Sequence, residues 1–383
     1  MTAPAAARPG RVLAVRLDSD GDVLLTGPAV RALGTGADGR PREVDLLVSP
    51  DGRAAAALLP GVAQVHVVRV PWSGYRPPPL DPAAVEELLA WLRGRAHEEV
   101  VVVTSFHQSP LPMALLARMA GAPRVVGTSE DYPGSLLDVR HRRGGGADGS
   151  GGGHEVLAAL DLVAATGRAV DVEDPATTRL AVREDLVDAA AAALPPDLAA
   201  LVAPAGRRRL VVVHPGASVP ARAPSAAVAG EAVAALVADG WDVVVTGSPG
   251  ERALVADVVA RAGSAPSAAR AGAGTGRLVD AAGRTDLAGL AALLRAARAV
   301  VVGNTGPAHL AAAVSTPVVS LFSPVVPAER WAPWGVPVVL LGDQGALCAL
   351  SRARECPVEG HPCLALRGGT VVEALRSVVG EAP

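Results

Sequence analysis

Along the chain, short runs of β-branched residues alternate with longer Ala- and Leu-rich stretches of helical period. In the first half, RVLAVRL, EVDLLVS, QVHVVRV, EEVVVVTS and PRVVGT read as five strands, with helices following near 22–34, 51–59, 83–96 and 109–121. The strand runs are almost continuously apolar, as parallel strands covered on both faces require. The pattern restarts at RRLVVVHPG (208–216) and continues through DVVVTGS, ARAVVVGN and TPVVSLFS. Helices are expected there near 225–239, 249–262, 286–297 and 307–314. Alternating β and α predicts an α/β fold of two Rossmann-like domains with parallel sheets facing across a cleft. The boundaries expected are 1–195 for an N-terminal domain and 208–345 for a C-terminal domain. The Pro-rich connection LPPDLAALVAPAGRRR (194–209) reads as a linker. The tail 346–383 ends in a helix near 370–380, expected to pack back on the N-terminal domain.

Composition narrows the class. The 383 residues suffice for two domains of ordinary size, and half are hydrophobic. The chain contains no lysine, every basic side chain being Arg or His, and its net charge is −3. Nothing in that balance supports a nucleic-acid partner. The start, MTAPAAARPG, lacks the apolar core of a signal peptide, and no run of 18 apolar residues stands out. The expectation is a cytoplasmic enzyme, with peripheral contact at the inner face of the membrane left open. RGGGADGSGGG (143–153) lacks the Gly-Lys-Ser/Thr ending of a P-loop and reads as a loop.

Candidate chemistry gathers at strand ends, where open α/β sheets bind ligands. In VVVGNTGPAHLAAAV, a strand stops, Asn304, Thr305 and Gly306 make a polar turn, and Pro307 opens a helix with His309 one turn in. A helix start of that kind presents backbone N–H groups to an anion, although an ordinary cap has the same residues. Two other strands end alike: one in His214-Pro-Gly216-Ala-Ser218, the other in Thr246-Gly247-Ser-Pro-Gly-Glu251. Such ends suit the phosphates and ribose of a nucleotide. Arg222 lies within reach for a charge-assisted contact to a diphosphate, or is a solvated surface residue. The first strand instead ends in Asp18-Ser-Asp20-Gly-Asp22. Asp22 there is either a helix-start carboxylate or a general base. Arg140, Arg142 and Arg143 flank the Gly-rich loop, as a basic lid over an anionic acceptor or as a solvated charge run. Cys348, Cys356, Cys363 and His361 are enough ligands for zinc, but their spacing is unlike a zinc knuckle. Reduced structural thiols are the expectation, with no metal site.

Taken together, RLDSDGDVLLTGPAVRAL, HPGASVPAR, TGSPGERAL, GRTDLAGLAALL and VVVGNTGPAHLAAAVSTPVVSLFSPVVPAERWAPWG resemble glycosyltransferase family 9, the ADP-heptose:lipopolysaccharide heptosyltransferases and their relatives. The motifs run in the family's order over residues 11–335. The resemblance implies a GT-B fold and metal-independent, inverting sugar transfer, with no cofactor beyond a nucleotide-sugar donor, expected to be ADP-linked, and a glycan or glycolipid acceptor. It implies Asp22 as the base and Arg222 at the donor diphosphate. His214, Gly216, Ser218, Gly247, Glu251, Thr285, Asn304, Thr305, Gly306 and His309 are implied around the donor, Glu251 toward ribose and Thr285 toward adenine. Asp20 and the three arginines remain candidates on the acceptor side. Two features depart from the pattern: Asn304 stands where the family usually has Asp, and ARAPSAA replaces a Trp-containing basic stretch. A nucleotide-sugar epimerase of the same fold, and a non-catalytic nucleotide-binding relative, are the alternatives.

Overall fold

The residues at the sheet centres explain the architecture. In a computed structural model describing residues 10–144, 152–204, 209–264 and 276–379, the apolar runs form two six-stranded, wholly parallel sheets. In the first unit, β1 (Gly10–Arg16) leads through α1 (Asp20–Leu33) to β2 (Arg42–Val48), α2 (Arg53–Leu58) and β3 (Val62–Val67). Then come α3 (Pro82–Arg95), β4 (Glu99–Val102), α4 (Leu111–Met119), β5 (Val125–Thr128), β6 (Val139–His141), α5 (Glu155–Ala164) and α6 (Pro175–Thr178). In the second unit, α7 (Glu184–Ala192) and α8 (Pro196–Val202) precede β7 (Leu210–His214), α9 (Ala226–Ala238), β8 (Asp242–Val245) and α10 (Arg252–Ser264). It continues with β9 (Leu278–Asp280), α11 (Leu287–Ala296), β10 (Ala299–Gly303), α12 (Gly306–Ala313), β11 (Val318–Leu321), α13 (Ala328–Trp331), β12 (Val338–Leu341) and α14 (Gly368–Val379).

The sheet orders are β3-β2-β1-β4-β5-β6 and β12-β11-β10-β7-β8-β9. Counted from each unit's own first strand, both are the doubly wound order, whose strand sequence reverses between the first and fourth strands. The reversal falls between β1 and β4 in one unit and between β7 and β10 in the other. Central strands are buried on both faces. In the second sheet, Val211, Val213, Val243, Val245, Val301 and Val319 join one core with α9, α10 and α14. The intervening Val212, Val244, Val300 and Val318 are equally buried, and α11 and α12 pack beside β7, β10 and β11. In the first sheet, Leu13, Val15, Val100 and Val102 form the corresponding core with α3 and α4.

Several sequence expectations need correction. The chain divides after Arg179, with the second unit starting at Leu180 rather than after a linker at 194–209. That stretch contains α8, whose Leu198 and Leu201 are buried and which packs on α11. The final helix packs on the second unit, not on the first. Val371, Val372, Ala374 and Leu375 enter the second core, and Gly368 lets the chain close on α9, because a Cβ there would stand 2.6 Å from the Glu231 carbonyl oxygen. The stretch Pro220–Ala238 is long and apolar enough to cross a membrane by length and composition, but here Ala229, Ala232, Val233 and Leu236 are buried in that same core. The short strands β6, β9 and β12 were not legible as runs.

Candidate active site

In the second unit, the strand ends near the reversal are lined by glycine, with one carboxylate, Glu251, held against them. His214 closes β7 and is 7% exposed, with Nδ1 3.0 Å from Thr246 Oγ1 beyond β8. Burial pushes its pKa down, against a smaller opposing pull from Glu251, whose Oε2 lies 3.9 Å from Nε2. The Ser248 backbone N–H donates to Glu251 Oε2 at 2.7 Å. That carboxylate lies directly against Gly216: a Cβ there would be 1.8 Å from Glu251 Oε1. Gly216 therefore admits the Glu251 carboxylate to the end of β7. Gly247 is similarly confined, with Val255 Cγ2 2.9 Å from where its Cβ would be. Ser218 is exposed, and Thr285 is half-buried just before the Asp286 cap of α11.

On the other side of the reversal, β10 ends at Gly303. A Cβ on Gly303 would sit 2.7 Å from the Arg222 carbonyl oxygen, so this glycine lets the turn Pro220–Arg222 cover the strand end. That is how Arg222 comes to the crevice, and Gly303 is a residue the sequence reading missed. Its only signal is a glycine closing an otherwise unbroken valine run. Thr305 is the N-cap of α12, but its side chain makes no capping hydrogen bond, and no acidic residue occupies the first turn. The first N–H groups of α12 are therefore not covered by a side-chain cap. His309 is buried one turn in. Asn304 is 6% exposed and its amide works inside the protein. Nδ2 donates to the Ser323 carbonyl at 3.3 Å and Oδ1 accepts from the Ser323 N–H at 3.4 Å, joining the ends of β10 and β11.

The first unit's reversal is charged. Arg16, the last residue of β1, is 1% exposed. Its Nη2 donates to Asp22 Oδ1 at 2.9 Å and to Ser105 Oγ at 2.8 Å. Its Nε lies 2.9 Å from Asp18 Oδ2, an ion pair without the alignment of a hydrogen bond. Gln108 donates to the other oxygen of Asp18. Burial nevertheless pushes the Asp18 carboxyl up to about 6, against the pull of Arg16. Asp22, in the first turn of α1, keeps 22% of its side chain exposed. Asp20 is turned away from Arg16's partners: its Oδ1 accepts from the Ala55 N–H at 2.8 Å, bracing α2. Burial pushes its carboxyl up too.

The proposed basic lid separates into three fates. Arg140 donates to the carbonyls of Ser129 and Glu130. Arg143 donates to Glu155 at 2.6 Å and to the Gly153 carbonyl. Arg142 is exposed. The glycine-rich residues 145–151 lie outside the described residues. Glu155 was missed by the sequence reading; it is 4% exposed, and burial raises its pKa against the pull of Arg143 and Arg16. Cys348 and Cys363 are buried in the second core, and burial, with Cys348 nearby, raises the Cys363 thiol to about 11. Among the described residues no group of three or more His, Cys, Asp or Glu side chains could hold a metal ion.

These two topologies match solved structures. E. coli ADP-heptose lipopolysaccharide heptosyltransferase II superposes with a TM-score of 0.69 at 18% identity, covering 96% of this chain and 98% of that one. A glycosyl transferase family 9 structure from Veillonella parvula gives 0.71 at 14% identity over 97% of each chain. An E. coli heptosyltransferase solved with ADP-2-deoxy-2-fluoro heptose gives 0.63 at 18%, covering 96% and 99%. The fold is thus GT-B, with two Rossmann-like units. A search of curated proteins returned no match. The description "Glycosyltransferase family 9 (heptosyltransferase)" matches residues 92–361. That span holds every glycine-lined strand end of the second unit and leaves β1 and Asp22 to the N-terminal side. It takes in more than half of the chain, which therefore belongs to glycosyltransferase family 9.

Proposed function

We propose that this glycosyltransferase moves a heptose or related sugar from an ADP-linked donor to a hydroxyl of a glycan or glycolipid, with inversion at the anomeric carbon and without a metal ion. The observation that carries the reading is the second unit's reversal. There a helix start without side-chain cap or acidic first turn meets three glycine-containing strand ends and the Arg222 turn. Such a place suits a diphosphate: backbone N–H groups and the positive end of α12 face an anion, and Gly303 admits the Arg222 turn beside them. As the sugar leaves, charge grows on the departing phosphate. Preorganised donors at α12, Thr305 and Arg222 then stabilise that charge, each such donor being worth roughly 2.7–4 kcal/mol of barrier. Glu251 serves the ribose and Thr285 the adenine side.

The acceptor hydroxyl needs a base, and Asp22 fills that role. It is the more exposed of the two carboxylates held by Arg16, at 22% against 12% for Asp18. Function at a cytoplasmic membrane face accords with a glycolipid acceptor.

The test is incubation with a panel of nucleotide sugars, with and without glycan acceptors, followed by mass spectrometry. ADP release that a glycan acceptor stimulates well beyond slow hydrolysis, yields the inverted glycoside and survives EDTA is expected. Turnover of a nucleotide sugar without nucleotide release would mean an epimerase. Binding without any turnover would mean a non-catalytic protein. Activity lost to EDTA and restored by Mg²⁺ would overturn the metal-free mechanism.

A further inference from the structure

The first unit's crevice contains more charge than one base requires. Arg16 sits under Asp22 and touches three elements at once: α1 through Asp22, the β1–α1 turn through Asp18, and the segment after β4 through Ser105. From α5, Glu155 adds a third carboxylate felt by Arg16, itself held by Arg143 from the chain after β6. Gln108, just before α4, caps Asp18.

We propose that Arg16 is the positioning residue of the transfer reaction, clamping the Asp22 carboxylate in the orientation that proton abstraction needs. The inference rests on the reading of Asp22 as the base. Its physical content is geometric. A guanidinium is planar, remains charged throughout the working pH range, and offers its donors in a fixed fork. With Nη2 shared between Asp22 and Ser105 and Nε against Asp18, the fork cannot turn without breaking contacts on two other elements. Asp22 then loses the freedom to swing with the first turn of α1 and has a fixed positive charge beside one oxygen. Among the described residues its second oxygen meets only a long contact from Ser19 Oγ at 3.4 Å, which leaves that side to an acceptor hydroxyl. Asp18 and Glu155 complete the clamp as counter-charges, anchored by Gln108 and Arg143.

The test is the slow release of ADP from ADP-heptose, with water as acceptor, by the parent, Arg16→Met, Arg16→Lys, Asp22→Asn and the Arg16→Met/Asp22→Asn double variant. Arg16→Met is expected to lower kcat about tenfold to a hundredfold with the KM for ADP-heptose unchanged, part of what a general base contributes. In the Asp22→Asn background the same change should cost nothing further, because Arg16 acts through Asp22. Arg16→Lys should restore only part of kcat, because its donors radiate from one nitrogen and cannot span partners spread over Nε and Nη2 of a guanidinium.

A merely structural ion pair would lower kcat as much without Asp22 as with it, and that additivity overturns the proposal, as does unchanged kcat in Arg16→Met. If Arg16→Met does not fold, Ser105→Ala and Arg16→Lys decide: a kcat lowered at constant KM in either supports the clamp, and unchanged kcat in both removes it. No turnover of ADP-heptose by the parent would overturn the proposed function and the clamp with it. Near-normal turnover by Asp22→Asn would sink the base reading itself. An impaired Asp22→Asn beside an unimpaired Arg16→Met sinks only the role of Arg16.

Discussion

The two units share one topology and put opposite chemistry at its reversal. In the first, the crevice between β1 and β4 is filled by a buried guanidinium and its carboxylates, every one engaged by a named partner. In the second, the crevice between β7 and β10 is built largely from backbone: glycines at 216 and 303, an α12 start without side-chain cap, one arginine on a turn, and the Glu251 carboxylate held against Gly216. The difference follows from what each end is asked to do. A base must be a fixed negative charge, which a low-dielectric site tolerates only beside a fixed positive one. A diphosphate brings its own charge and needs neutral N–H donors and space. The doubly wound sheet supplies the location in both cases, and the side chains at the strand ends supply the role.

The sharpest way to break this contrast is to remove one charge from the first crevice. Asp22→Asn is expected to lower turnover roughly 10²-fold or more with ADP affinity unchanged, since that is the usual size of general-base loss. Steady-state kinetics with near-normal turnover would reduce Asp22 to a helix-start carboxylate. The counterpart in the second crevice removes space. Gly306→Val should weaken ADP binding roughly ten- to a hundredfold, the value of one or two hydrogen bonds to a charged group, without unfolding the unit. Calorimetric ADP titration, with circular dichroism as folding control, checks it. Parent-like binding would make the turn after β10 an ordinary cap.

Legibility in the sequence also differed between the crevices. Central strands were readable because parallel strands buried on both faces must be continuously apolar, and β1, β7 and β10 fall within the expected runs. Edge strands β6, β9 and β12 are three or four residues long, too short for a period to show. The glycine-lined crevice announced itself as glycines and hydroxyls after valine runs. The charged one did so only in part. Asp18, Asp20 and Asp22 look equivalent in sequence, yet one braces α2, one is a buried counter-charge and one faces outward. Glu155 and Arg143 join that network through tertiary packing that no local pattern encodes. Asn304 shows in the sequence as part of a polar turn, but the pairing of its amide with Ser323 across two strand ends does not. Likewise, the apolar face of α14 tells that it packs but not on which sheet.

Asn304 offers a smaller perturbation of the glycine-lined crevice. Both ends of its amide pair with Ser323, one donating and one accepting. In Asn304→Asp, an ionised carboxylate would keep the bond from the Ser323 N–H but face the Ser323 carbonyl with no donor. We expect a loss of about 1–3 kcal/mol, the cost of leaving a buried polar group unsatisfied. The new negative charge should also weaken ADP binding. Both deficits should grow as the pH rises through the range in which this carboxyl ionises, because only the protonated acid can donate. Urea unfolding and ADP titration at two pH values check this, and an equally stable variant would show that Ser323 finds another donor.

The smallest expected effect reads the charge saturation of the first crevice directly. Burial raises Asp18 from 3.8 to about 6 despite Arg16. Between those values the folded protein holds a proton that the unfolded chain has released. The folded state therefore binds more protons, and stability falls as the pH rises through that window. Below 3.8 both states are protonated and the group contributes nothing; above about 6 the full cost of a buried ionised carboxylate is present. Asp18→Asn preserves the shape and an oxygen for Gln108 while removing the titration, although it forfeits the ion pair with Arg16. The prediction therefore concerns slope: the Tm of Asp18→Asn minus that of the parent should rise by a few degrees from pH 4 to pH 7. Titrating groups away from the Arg16 cluster cancel in the difference. The same subtraction for a neutral substitution in the second crevice, such as Thr305→Val, should be flat with pH. A flat line for Asp18→Asn as well would mean that Arg16 fully compensates Asp18, and that the two crevices differ in charge count but not in electrostatic cost.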